Sequence, residues 1–160
     1  MAHARQTIRE AVATVLAATP TNWGKVFETR LVPNRQVMPF LIVYASDETS
    51  AAMMIHPSNI YDRVLTVNVV AMLKMPGTGD GSSMTETVED RMDVVAAEIE
   101  TKLTTTALGA IVSKAKTLEL KSTAMEVVVN ETDGSISHAE LTQTWAITYN
   151  TVEGAPETLI

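Results

Sequence analysis

A chain of 160 residues is long enough for one domain with a sizeable hydrophobic core and short for two domains of typical size. Its formal net charge of −7 argues against a protein that grips nucleic acid, and aromatic residues at 4% are too scarce for a base-stacking surface. The absence of cysteine excludes disulfides and cysteine-ligated metals, and no apolar run is long enough to cross a membrane. Because residues 1–5 also lack the apolar core of a signal peptide, we expect a soluble protein made in a cytoplasm.

The first part of the chain predicts one helix and two strands. Apolar side chains at helical spacing predict a helix over residues 4–18, which ends where Pro20 pushes the preceding residue out of the helical region. A short strand is expected over residues 25–32. Residues 40–45 are almost wholly apolar and therefore predict a central strand that is covered on both faces.

The segment over residues 46–59 is acidic near its start and rich in methionine near its end. A loop of this length is uncommon in a small domain and is usually functional or disordered. Two interpretations stay open: a hairpin connection with a few buried anchors, or an arm that contacts a neighbouring molecule, for which exposed methionine is adaptable material. The candidate interface residues in this segment are Asp47, Glu48, Met53, Met54 and Ile55.

Residues 63–103 predict a strand, a glycine-rich loop and an amphipathic helix. Apolar side chains alternate along residues 63–75, as they do in a half-buried strand. Over residues 84–103 they recur at spacings of four and three, which places them on one stripe of a helix that packs on the sheet. Ser83 and Glu86 have the spacing of a capping box at the start of this helix.

The glycine-rich loop between that strand and that helix could be a phosphate-binding loop or a flexible connection. Its third glycine comes one residue too early for the dinucleotide-binding fingerprint, and no Gly-Lys-Ser/Thr follows. Asp80 would also place a negative charge in the anion site. The pattern therefore favours a flexible connection.

The last third of the chain predicts a hairpin of two long strands. A short apolar segment of about one helical turn, over residues 108–112, precedes them. The strands are expected over residues 116–129 and 136–150, and Asp133-Gly134 between them is a strong signal for a type I′ turn.

That turn would fix the register of the hairpin, with Leu118 opposite Tyr149, and would separate an apolar face from a threonine-rich face. Glu126 and Gln143 fall on the apolar face, so they lie either at its rim or beyond a bulge that shifts the outer part. The tail over residues 151–160 is expected to be flexible unless a partner orders it.

No residue pattern points to catalysis. The histidines His3, His56 and His138 are far apart and lack the spacing of metal ligands. There is no Gly-x-Ser-x-Gly elbow, and the carboxylate pairs lie on the polar side of the second helix, where a solvated charged face is the expected role. Those carboxylates are Glu89, Asp90, Glu98 and Glu100. We therefore expect no catalytic residue, no cofactor and no metal site.

In the order and spacing of its segments, the chain resembles the tail terminator (tail completion, minor tail protein U-like) proteins of long-tailed bacteriophages. The resemblance covers most of the chain up to about residue 150 and leaves out the glycine-rich loop and the tail. The stretches that carry it are Ile8-Arg-Glu-Ala-Val12, Val26-Phe-Glu-Thr-Arg30, Met38-Pro-Phe-Leu-Ile-Val-Tyr44, Leu65-Thr-Val-Asn-Val-Val70, Glu89-Asp-Arg-Met92 and Leu141-Thr-Gln-Thr-Trp-Ala-Ile-Thr-Tyr149.

The elements together predict an α+β fold with a mixed, mostly antiparallel sheet of about five strands and two main helices packed on one face. The resemblance implies a single tail-terminator-like domain over residues 1–150, with residues 151–160 as a flexible tail. It further implies a non-enzymatic virion protein, present in the host cytoplasm during assembly, that forms a hexameric ring on the head-proximal end of the tail tube. The ring would stop tube polymerisation and offer a surface to head-completion proteins, while DNA crosses it without specific binding.

A closed ring needs two different interface patches on each subunit. The segment with Asp47 and the glycine-rich loop are the candidates, and the residues in that loop are Gly77, Gly79, Asp80 and Gly81. Two alternatives remain. One is another ring-forming protein of the same particle, such as a tail tube or neck protein. The other is a small-ligand-binding α+β domain that uses the glycine-rich loop.

Overall fold

The computed structural model describes residues 3–30, 37–54, 59–74, 87–129 and 136–160, which fold as one α+β unit with a mixed sheet. Within these ranges it has three helices and six strands. The helices are α1 (Ala4–Ala17), α2 (Val88–Lys102) and α3 (Thr105–Ile111), and the strands are β1 (Lys25–Phe27), β2 (Phe40–Met54), β3 (Ile60–Lys74), β4 (Ala115–Val129), β5 (Ile136–Val152) and β6 (Ala155–Leu159).

The sheet has the strand order β1-β2-β3-β5-β4, and β6 pairs with the end of β5. Only the β1–β2 pair is parallel among the paired strands that the structure describes. Because β3 and β4 are both antiparallel to β5, they run parallel to each other, and the chain passes between them through α2 and α3. The predicted α+β fold is confirmed, and the structure adds a sixth strand, β6, that the sequence pattern does not predict.

The helices cover one face of the sheet, and the alternation along the strands explains why. Leu65, Val67 and Val69 all point to this face and are at most 1% exposed. Met92 and Ile99, from the predicted stripe of α2, are buried against the same cluster. Each such side chain contributes about 1.5–3 kcal/mol by leaving water, so the two periodicities hold the layers together.

The opposite face of the sheet is only partly covered. Phe40 is buried under Phe27, with ring centroids 5.5 Å apart and ring planes at 90°. Ile42 and Tyr44 on this face remain partly exposed. The prediction that residues 40–45 are covered on both faces is therefore wrong for the later positions, because the helices pack on the face of Leu41 and Val43.

The predicted loop over residues 46–59 is largely strand. Residues 46–54 continue β2 after a bulge between Ala45 and Asp47, and they pair with the start of β3. The sequence does not reveal this strand because both of its faces lie in solvent, so no apolar alternation marks it. Residues 55–58 lie outside the described ranges.

The β4–β5 hairpin keeps the predicted faces near its base but not the predicted register. Leu118 lies opposite Ile147 instead of Tyr149, and bulges interrupt the ladder at three places. The bulge between Leu120 and Ser122 moves Glu126 off the core-facing side, onto a position opposite Glu140. A bulge of this kind was the open alternative in the sequence, whereas the predicted Asp133-Gly134 turn lies outside the described residues.

Gln143 does occupy the apolar, core-facing side, but it is fully buried there rather than placed at the rim. Its Nε2 donates to Glu100 Oε1 at 2.8 Å. Glu98 is also engaged, since its carboxylate accepts from the backbone N–H groups of Thr21 and Asn22 at 2.8 and 3.0 Å. These two carboxylates therefore tie α2 to its neighbours rather than form a freely solvated face.

The tail is not loose in this structure. β5 extends to Val152, and β6 folds back on it after Gly154, whose φ of 76° is a conformation that glycine adopts readily. Leu159 packs against the core, and the N–H of Ile160 donates to Asn150 O at 3.1 Å. The alternation of β6 is too short to outweigh the turn signals around it, so the sequence predicts a flexible tail where a strand exists.

The N-terminus of α2 carries a capping box four residues later than predicted. Thr87 is the N-cap; its hydroxyl accepts from Asp90 N, and the Asp90 carboxylate accepts from Thr87 N, each at 3.1 Å. These bonds lower the pKa of Asp90 below its ordinary value. Ser83 and Glu86, the predicted pair, lie outside the described residues. The motif occurs twice in a row, so its spacing alone cannot identify the helix start.

We expect Thr87→Ala to lower the free energy of unfolding by about 1 kcal/mol, because the backbone N–H of Asp90 loses its acceptor, the Thr87 hydroxyl. Thr87→Ser retains the hydroxyl and serves as the control, with a change of a few tenths of a kcal/mol at most. Urea unfolding followed by circular dichroism measures both. Equal midpoints for Thr87→Ala and the parent chain would contradict this assignment of the cap.

Candidate assembly interface

The later part of β2 and the start of β3 form a three-stranded arm with the end of β5. We call this unit, residues 47–54, 60–66 and 146–152, the arm. Along β2 the side chains of Thr49 to Met53 are all exposed. In this part of β2, strand pairing rather than burial therefore holds the chain in place.

A buried ion pair anchors the arm where it leaves the core. Arg63 on β3 pairs with Glu48 on β2, and their side chains are only 18% and 14% exposed. Arg63 Nε donates to Thr151 Oγ1 at 2.8 Å, and Tyr149 Oη donates to Glu48 Oε2 at 3.0 Å. Because Tyr149 and Thr151 belong to β5 and are fully buried, the network joins all three strands of the arm.

This environment shifts the pKa of the Tyr149 hydroxyl. Burial is the largest cause that raises the pKa of its hydroxyl far above the ordinary value of 10.0, and the hydrogen bond to Glu48 adds to it. The positive charges of Arg63 and Arg5 act in the opposite direction. The phenol is therefore held neutral as a donor to the carboxylate, which is a structural role rather than that of an acid or base near neutral pH.

A second network of side-chain hydrogen bonds lies on the other face of the sheet, beside the bulge. Asn68 Nδ2 donates to Ser46 Oγ at 2.8 Å, and Thr144 Oγ1 donates to Asn68 Oδ1 at 2.9 Å. These bonds again connect β2, β3 and β5. The bulge at Ser46 is thus fixed from both faces, which holds the arm in one orientation relative to the core.

The outer edge of the arm has little of the usual protection against strand pairing, apart from a register shift between Ala52 and Met54. From Thr49 to Met53 β2 contains no charge and no proline, and no described strand pairs with its outer side. Met53 is 60% exposed, and its sulfur accepts from Asn150 Nδ2 at 3.6 Å. An uncharged, exposed edge of this kind is a template for another strand.

The opposite edge of the sheet is different in character. β4 has no described partner on its outer side, but its ladder with β5 is interrupted by three register shifts and it carries both signs of charge. The charged residues along it are Lys116, Glu119, Lys121 and Glu126. The chain therefore presents two unlike sheet edges on opposite sides of one sheet.

The residues predicted from the sequence divide into three groups. Asp47 is exposed beside the bulge and Met53 is exposed on the arm, so both are accessible for contact. Glu48 is an internal anchor instead. Met54 ends β2, and the remaining predicted positions, Ile55, Gly77, Gly79, Asp80 and Gly81, lie outside the described residues.

No protein-family model matches this chain, and no curated protein matches it either. Among solved structures it is similar to a chain from the virion of a native gene transfer agent (GTA) particle, with 12% identity and a TM-score of 0.40. The match covers 91% of this chain and 92% of that chain.

Sequence reasoning missed the partners of Glu48. Arg63, Tyr149 and Thr151 come from strands far from it along the chain, and only the β2–β3–β5 register brings them together. The available signal was Arg63 itself, a charged residue near the start of a largely apolar strand, because a buried arginine needs a paired acid.

Among the described residues, no group of three or more potential ligands could hold a metal ion. None of the helices in those ranges is long and apolar enough to span a bilayer.

Tyr149→Phe tests the role of the phenol through pH. A pKa that is higher in the folded than in the unfolded state stabilises the fold below pH 10, and this contribution is lost as pH rises above that value. We expect the parent chain to lose stability steeply in alkaline buffer and Tyr149→Phe to lose less. At neutral pH the variant should be about 1–2 kcal/mol less stable, because a hydrogen bond to a charged group is gone. Parallel pH profiles for the two proteins would contradict this.

Proposed function

We propose that this chain is a structural protein of a virus-like particle, and specifically a tail terminator. In this role several copies form a ring, with six copies as the resemblance implies, on the head-proximal end of the tail tube. The ring ends tube growth and offers its other side to head-completion proteins. No chemistry is required of it, because assembly alone performs the function.

The pair of unlike sheet edges is the observation that supports this proposal best. A closed ring is a heterologous assembly, in which one patch of each subunit meets a different patch of the next. The uncharged arm edge and the charged, bulged edge of β4 supply two such patches on opposite sides of one sheet. Pairing them head to tail would satisfy the free backbone groups of both edges at once.

The charge of the chain suits a ring through which DNA passes. At −7 per copy, a ring would present an acidic surface that repels a phosphate backbone, so DNA could cross the channel without being held. In contrast, a role that requires grip on DNA would need a basic stripe.

Electron microscopy of particles assembled without this protein tests the proposal directly. We expect overlong tails that fail to join heads, and addition of the purified protein should restore joining. Normal tails in its absence would overturn termination. Light scattering of the purified chain should give six times the 17.3 kDa monomer mass, either alone or once tube ends are present.

Two further outcomes separate the alternatives. A tube protein grows long tubes when nucleated, whereas a terminator stays one ring thick and a neck protein binds heads rather than tubes. A small-ligand-binding domain would use residues 77–83, which lie outside the described ranges. Thermal stabilisation by a nucleotide would favour that alternative and count against assembly as the main function.

A further inference from the structure

A pocket of about 580 Å³ opens between the start of α1 and the bulge in β2. Its polar lining includes His3, Arg5, Gln6 and Arg9 from α1 and its cap, and Ser46, Asp47 and Glu48 from β2. The His3 ring caps the helix, since its Nδ1 accepts from Arg5 N at 3.2 Å. The pocket thus combines a helix start, which favours negative charge, with two guanidinium groups one turn apart.

Arg5 and Arg9 line the pocket without a direct ion pair to its acids. Neither guanidinium group has a hydrogen-bond or ion-pair partner among the described residues, and Arg9 Nε is buried without an acceptor. The nearest acid on α1, Glu10, instead accepts from Gln6 Nε2 at 2.7 Å. Buried donors are normally hydrogen-bonded, so Arg9 Nε calls for an acceptor from outside, whereas Arg5 is exposed to solvent and adds a positive charge beside it.

The charge balance of the pocket selects the kind of acceptor. Glu48 is already paired with Arg63, which is not among the lining residues, so the lining sets the two positive charges of Arg5 and Arg9 against the single negative charge of Asp47. One negative charge from a ligand brings this sum to zero. A phosphate dianion would exceed it and would approach Asp47, whereas a carboxylate supplies one charge in the planar form that a guanidinium group binds through two bonds.

We propose that this pocket is a binding site for a carboxylate group, held by Arg9 and Arg5. The group could be a small free acid or an acidic side chain of another polypeptide, and the chemistry of the site is the same for both. The proposal is independent of ring formation, because it concerns a cavity within one subunit and can be tested on the monomer.

Nuclear magnetic resonance of the full chain labelled with ¹⁵N-arginine gives a direct readout, the Nε–Hε signal of Arg9. We expect sodium acetate to shift this signal saturably, with a Kd on the order of 10 mM, and inorganic phosphate at matched ionic strength to bind about tenfold more weakly. Arg9→Gln should abolish acetate binding, as followed by the Arg5 signal. Arg30→Gln is the control, since Arg30 lies over the Tyr44 ring and outside the pocket.

Asp47→Asn provides the sharper test of the charge balance. Removing that carboxylate leaves two unopposed positive charges, so phosphate should then bind at least as tightly as acetate. A synthetic peptide of residues 87–102, which carries several exposed acids, distinguishes the source. Binding about tenfold tighter than acetate indicates a polypeptide ligand, and equal binding indicates a small free acid. An Arg9 signal that none of these probes shifts, or that phosphate and acetate shift alike in the parent chain, would overturn the proposal.

Discussion

Arg63→Ala should lower the free energy of unfolding by about 3 kcal/mol, which is the largest single-site effect that we expect on the arm. The substitution leaves Glu48 mostly buried with its charge uncompensated, and it also removes the donor to Thr151. A buried charge that loses its partner costs more than the ion pair itself contributes. Urea denaturation of the purified chain measures the change.

A double-mutant cycle separates the ion pair from simple loss of packing. Glu48→Ala should also destabilise the fold, and the double variant should be clearly more stable than the sum of the two losses predicts. Arg30→Ala is the matched control: Arg30 is exposed and lies 4.3 Å above the Tyr44 ring, so its loss should cost about 0.5 kcal/mol. A change below about 1 kcal/mol for Arg63→Ala would show that water screens the pair.

Charging either sheet edge should abolish ring assembly without unfolding the chain. The arm variant is Ala51→Lys with Met53→Lys, and the β4 variant is Ala124→Lys with Met125→Lys. All four side chains are exposed, so stability should change by about 0.5 kcal/mol or less per site. Lysine on an edge strand opposes the approach of another strand, so each variant should be monomeric by light scattering.

A mixture of the two variants distinguishes head-to-tail pairing from pairing of like edges. The arm variant retains an intact β4 edge and the β4 variant retains an intact arm, so together they can form one interface but not a ring. We expect an equimolar dimer with twice the 17.3 kDa monomer mass. Ala97→Lys, on the exposed side of α2, is the control that should leave assembly intact. Full rings from either variant alone would refute the edge-pairing model.

The sequence predicts those elements whose burial is periodic. α1 ends within one residue of the predicted position, and the alternation predicted for β3 and the stripe predicted for α2 both face the core within the described residues. Gln143 was placed on the apolar face despite its amide, and it is buried there. In each case one face of the element is buried, and burial of one face requires apolar residues at a regular spacing, which the sequence shows directly.

The sequence does not predict the elements that are held by strand pairing rather than by burial of an apolar face. The later part of β2 is exposed on both faces, and β6 is short and bordered by turn residues, so neither has a pattern to read. No residue type in β4 indicates where its bulges occur. These bulges shift the register with β5 and move Glu126 to the other face of the sheet. The sequence predicts Glu48 as an interface residue because it lies in the acidic part of residues 46–59, yet its partners make it an anchor.

The sequence by itself determined an α+β fold with one covered sheet face, because hydrophobic periodicity acts locally along each element. It also determined an acidic surface without cysteine, which narrows the roles that the chain can take. Only the tertiary structure decided that the arm exists, that Glu48, Arg63 and Tyr149 anchor it, and that Arg5 and Arg9 share a pocket with Asp47. Those contacts join residues far apart in the chain, and their geometry follows from strand register, which is fixed collectively and not by any one segment.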